Sequence, residues 1–96
     1  MMGINELARR ACENAVKRGK TSTKASHDDD FCSICAEMNE FYMASEERPS
    51  EHLPLYTEAV EELGDVMIAC MTELCKRNVD VEKLISDKIR FNELRT

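Results

Sequence analysis

The sequence predicts an all-α fold, a four-helix bundle completed by oligomerisation. Three observations carry this expectation. Apolar residues recur at the helical period of about 3.6 residues in four separate segments. Breakers and caps stand between those segments: Gly19, then Arg48-Pro49-Ser50, then Lys76-Arg77-Asn78 ahead of Asp80. The chain is 96 residues long, enough for one domain with a modest core. A short, mostly helical chain of that kind often completes its core with copies of itself.

The elements follow in order. Ile4, Leu7, Ala8, Ala11 and Ala15 share one helical face, giving a first helix over about residues 4–18 that Gly19 is placed to end. Lys20 to His27 is polar and without period, and forms a loop. Asp28, Asp29 and Asp30 open a second helix, offering an N-cap and negative charge at the positive end of its dipole. Phe31, Ile34, Cys35, Met38, Phe41 and Tyr42 mark its buried stripe, and it runs over about residues 28–46. A third helix is expected over about residues 52–77, with Pro54 in its first turn and Ser50 as a cap. Its apolar residues lie on more than one side, as in the central helix of a bundle. Asp80 caps a fourth helix over about residues 80–94, whose apolar face is Val81, Leu84, Ile85 and Ile89. Residues 1–96 thus form a single domain.

Composition narrows the functional classes. The net charge of −6 argues against a nucleic-acid binder, which needs a basic face. No apolar run approaches the roughly 20 residues of a membrane span. The N-terminus lacks the basic and apolar regions of a signal peptide, so a cytoplasmic location is expected. Five cysteines, an odd number, fit reduced thiols in that compartment.

The chemistry centres on acids. From Leu63 to Met71, Asp65 is the only charge in an apolar or glycine run, and Glu62 lies three residues earlier on the same helical face. Glu37 and Glu40 repeat the spacing upstream, again in apolar surroundings. Two such pairs on two helices describe a box of four carboxylates. At about 5 Å and an effective dielectric of 20, each adjacent pair repels by roughly 3 kcal/mol. The box must therefore take up protons or a divalent cation, and oxygen-only ligands favour Mg²⁺, with Mn²⁺ as a substitute. A di-iron bundle needs Glu-x-x-His, and neither His27 nor His52 supplies one. Cys35 and Cys70 fall on apolar stripes, where a free cysteine behaves as a small hydrophobe rather than a zinc ligand. Lys88, Asn92 and Arg95 share one polar stripe, suited to phosphate oxygens that metals leave uncovered. With Gly3, Gly19 and Gly64 the only glycines, no Walker or Rossmann loop can be built.

Glu37-x-x-Glu40 followed by Glu62-x-x-Asp65 resembles the signature of the MazG-like all-α nucleoside triphosphate pyrophosphohydrolases. The match extends through Glu61-Glu62-Leu63-Gly64-Asp65-Val66 and Asn78-Val79-Asp80-Val81-Glu82 to Lys88-x-x-x-Asn92-x-x-Arg95, and covers nearly the whole chain. The resemblance implies Mg²⁺-dependent hydrolysis of a (d)NTP to the monophosphate and pyrophosphate. It implies Glu37, Glu40, Glu62 and Asp65 as metal ligands, with Glu37 or Glu40 doubling as general base. Lys88, Asn92 and Arg95 would contact substrate, and the protein would be a homodimer or homotetramer. Two departures stand out: Ala36 replaces the first of two adjacent acids, and Lys20 replaces an aromatic after Gly19. They keep open an alternative, a non-catalytic nucleotide-sensing or protein-interaction module.

Overall fold

The computed structural model describes residues 2–95. Among them are four α-helices and no strand: α1 (Ile4–Lys17), α2 (His27–Met43), α3 (Glu58–Lys76) and α4 (Val81–Glu93). The chain divides into two compact units, one of Ser26–Cys70 and one of the residues up to Ala25 with those from Met71 onward.

The unit built from both ends of the chain contains α1, the last turns of α3, and α4. α1 closes with paired bonds from Gly19 N to Val16 O and from Lys20 N to Ala15 O, both near 3 Å, and Gly19 adopts the positive φ this motif requires. The end of α3 repeats the device with Asn78, at φ 59°, in the glycine's place. Asn tolerates that region better than other residues with a side chain. Asp80 caps α4 by accepting from Lys83 N at 3.0 Å. Asn5 completes the cap from α1: its Nδ2 donates to Asp80 Oδ1 at 2.8 Å, and its Oδ1 accepts from Glu82 N at 2.9 Å. Two of α4's orphan N–H groups are thereby satisfied. Ala8 and Val81 are the buried apolar residues here.

In the unit Ser26–Cys70, α2 is capped by Ser26, not by the aspartates that follow it. Ser26 Oγ accepts from Asp29 N at 3.4 Å, while Asp30 Oδ2 accepts from Ser26 N at 3.1 Å. The three aspartates occupy the first turn, where the helix dipole favours them.

α2 ends at Met43, and α3 begins only at Glu58, later than the expected start near residue 52. The intervening segment is tied by side chains. Ser50 Oγ accepts from Leu53 N at 3.0 Å, Ser50 N donates to Tyr56 O, and Thr57 Oγ1 accepts from Val60 N. Ser50 therefore stabilises a turn containing Pro54 and leaves the cap of α3 to Thr57. Glu58 and Glu61 anchor this segment. Glu58 accepts from Ser45 N and from Arg48 Nη1, and Glu61 accepts from Ser50 Oγ and lies 3.4 Å from His52 Nδ1.

Burial departs from the expected stripes. Among the described residues, the buried apolar side chains are Ala8, Ala59 and Val81. Phe31, Met38 and Tyr42 on α2, and Val60, Leu63 and Met67 on α3, remain largely exposed. Periodicity placed each of these residues on a helix but not its burial.

Candidate metal centre

The acidic residues meet inside the unit Ser26–Cys70. α2 carries Glu37 and α3 carries Glu62 and Asp65. One carboxylate oxygen of each lies within 4.8 Å of the other two, and all three residues are half-buried. Oxygens on opposite sides of Mg²⁺ stand about 4.2 Å apart, so small side-chain rotations bring the three onto one ion. Among the described residues this is the one group of three or more acidic, histidine or cysteine ligands so arranged, and no cysteine joins it.

Glu40, the fourth member of the expected box, is exposed and stands outside that group. The same three-residue spacing brings both Glu62 and Asp65 of α3 into the group, so spacing alone does not decide which acids of α2 join it. Glu40 is near enough to act electrostatically, because its charge contributes to the raised pKa of Glu62.

Glu62 is the electrostatic centre of the cluster. Burial pushes its carboxyl above the usual range, and the charges of Asp65, Glu40, Glu61 and Glu37 push in the same direction, in that order of importance. Within the unit Ser26–Cys70, none of the described cations, His27, Arg48 and His52, comes within ion-pair distance of Glu37, Glu40, Glu62 or Asp65. The cluster thus has oxygen donors, partial desolvation and uncompensated negative charge, the properties a hard divalent cation answers.

Gly64 sits between the two α3 acids. A Cβ there would meet no atom within 4 Å, so nothing in the chain requires glycine at this helical position.

Lys88, Asn92 and Arg95 belong to the other unit. Lys88 and Asn92 lie on α4 and Arg95 just beyond it, all exposed. Lys88 Nζ is 4.8 Å from the centre of the Phe91 ring, and Arg95 Cζ is 5.8 Å from it. Phe91 therefore gathers two cations on one aromatic surface, a pairing the sequence stripe did not include. Among the described residues neither cation has an acidic partner in ion-pair range.

No helix among the described residues is long and apolar enough to cross a membrane. Comparison with protein-family models, with curated proteins and with solved structures finds no match for this chain.

Proposed function

We propose that this protein is a Mg²⁺-dependent nucleoside triphosphate pyrophosphohydrolase of the MazG-like type, converting a (d)NTP and water to the (d)NMP and pyrophosphate. The observation that carries the reading is the convergence of Glu37, Glu62 and Asp65 without a counter-cation among the described residues of their own unit. These three are the proposed metal ligands, with Glu40 at their margin. A bound Mg²⁺ would neutralise charge on the triphosphate oxygens and acidify a coordinated water.

Glu37 and Glu40 are the proposed catalytic carboxylates. Glu40 suits the general base better, because it stands outside the three-oxygen group and retains exposed lone pairs. Lys88, Asn92 and Arg95 are proposed as donors to the substrate. The two cations and the amide of that stripe offer hydrogen bonds to phosphate or sugar oxygens, and Phe91 restrains both cations.

The same proposal includes a homodimer or homotetramer. Phe31 and Met67 are 61% exposed and Tyr42 82%, on helical faces whose sequence pattern is that of a core. A second copy laying its own α2 and α3 against them supplies that core.

Pyrophosphate release from a panel of (d)NTPs and dUTP, with Mg²⁺, Mn²⁺ or EDTA, tests the reading. Metal-dependent release supports it and ranks the bases. The non-catalytic alternative draws on Ala36, which removes one acid from the motif. It predicts a melting temperature raised by Mg²⁺ and nucleotide with no pyrophosphate formed.

A further inference from the structure

Glycine is a poorer helix former than every residue but proline, yet Gly64 stands inside α3. Neither usual reason for a glycine applies to it. Gly19, not Gly64, is the glycine with a positive φ, so the backbone does not call for one here. A Cβ added to Gly64 would meet no atom within 4 Å, so no neighbouring group needs the room. Gly64 follows Glu62 by two residues, about 200° round the helix, and so faces away from that acid.

Its neighbours on the helix surface are apolar and exposed: Val60 one turn before it, Leu63 beside it, Met67 almost one turn after. Residues so spaced form the four corners of the hole that receives a knob from a facing helix. In α3 the corners are Val60, Leu63, Gly64 and Met67, and the missing side chain of Gly64 deepens the hole.

α2 extends the same surface. Ala59 N donates to Ser45 O and Ser45 N to Glu58 Oε1, joining the end of α2 to the start of α3. Glu37 meets Glu62 and Asp65 further along, so the two helices run antiparallel. Phe31, Met38 and Tyr42 recur at steps of seven and four as one exposed stripe of α2. Each stripe begins one residue, about 100° of turn, after a buried position: Phe31 after Asp30, and Val60 after Ala59. On antiparallel helices that common turn puts both stripes on one side of the hairpin. The six side chains, 46% to 82% exposed, offer on the order of 600 Å² of apolar surface, most of the roughly 800 Å² that each partner buries in a standard interface.

We propose that a second copy of this chain docks on this face, and that Gly64 forms the floor of a hole receiving a large side chain from the second copy's own α2–α3 face. The contact is isologous: one surface supplies both knob and hole, so the pair closes at two. Docking of this kind rests on the homo-oligomer of the proposed function and not on hydrolysis, and it adds the residue that sets how closely the copies approach.

The test is self-association of the full chain, followed by sedimentation of fluorescently labelled protein across a wide concentration range. The wild type should pass from monomer to dimer as concentration rises. Gly64→Leu fills the hole and should raise the dissociation constant roughly 10–100-fold, the size expected when a close-packed contact is overfilled. Gly64→Ala should raise it less, and the dissociated Gly64→Ala chain should melt higher than the wild type because its helix is better formed. Ser86→Leu, at an exposed position on α4, should leave the constant within about threefold. The proposal is overturned if the wild type stays monomeric, if both Gly64 variants associate as the wild type does, or if Ser86→Leu weakens the dimer as much as Gly64→Leu. It is equally overturned if Gly64→Ala lowers the melting temperature of the dissociated chain, since another segment of the same chain then occupies the hole. A dimer indifferent to Gly64 removes the hole and keeps the oligomer, whereas a monomer removes both. Neither result bears on pyrophosphate release.

Discussion

Replacing Glu62 by Gln should stabilise the metal-free protein, although it removes a group from the proposed site. The carboxylate oxygens of Glu37, Glu62 and Asp65 lie within 4.8 Å of one another. At that separation two ionised groups repel by about 3.5 kcal/mol at an effective dielectric of 20, and by about 0.9 kcal/mol in bulk water. The three residues are half-buried, and salt screens what solvent reaches. The expected gain for Glu62→Gln near neutral pH is therefore about 1–2 kcal/mol, taken between those dielectric limits. Urea denaturation in EDTA reads it directly as a higher midpoint at unchanged slope. Millimolar Mg²⁺ should reverse the order, because the ion stabilises the wild type by binding the folded state and loses a ligand in the variant. If Glu62→Gln lowers the midpoint in EDTA, or Mg²⁺ shifts both proteins equally, the electrostatic argument fails.

Further expectations are smaller in scope. In EDTA, wild-type stability should fall as pH rises from the ordinary carboxyl value of 4.5 through the raised pKa of Glu62, since the folded state holds that proton more tightly. The slope should be shallower in Glu62→Gln, and identical slopes would contradict it. Asp80 works in the opposite sense: the Lys83 N–H and Asn5 lower its pKa, so its contribution is present above 3.8 and lost as pH falls through the folded value. Asn5→Ala removes two hydrogen bonds at the start of α4 and should cost about 1–2 kcal/mol in denaturant unfolding, with no change in metal affinity. Gly64→Ala should add about 0.5–1 kcal/mol to stability, because the helix gains alanine's propensity and the new methyl meets open space. Lys88→Ala should raise KM for a triphosphate while leaving the EDTA midpoint within about 0.5 kcal/mol, as expected for an exposed side chain.

What could be foreseen from the sequence followed the range of the interactions involved. Gly19 and Asp80 act on backbone groups within a few residues, and each ends or begins a helix as its type suggests. The acid pairs were legible for the same reason, since the three-residue spacing places them on one side of a helix. Glu40's exposure was not, because spacing says that two residues share a side without saying where the partner helix lies. The 44–57 segment was misread as helix from residue 52 onward because its bonds are nonlocal. Ser50 reaches both Leu53 and Glu61, and Glu58 reaches back to Ser45 and Arg48. Asn5 capping a helix that starts at Val81 leaves no local trace at all. Phe31, Tyr42 and Met67 teach a different lesson. A hydrophobic stripe records that a face is to be covered, and the covering surface belongs to no segment that its own period describes.

In the proposed function, Glu37, Glu62 and Asp65 hold Mg²⁺ for hydrolysis of a nucleoside triphosphate. The most direct measurement is pyrophosphate release by the wild type and by Asp65→Asn, each with Mg²⁺ and each with EDTA. Release is expected from the wild type in Mg²⁺ alone, with the variant reduced to the EDTA background while still folded. Equal release by the two proteins in Mg²⁺, or release that survives EDTA, would contradict it.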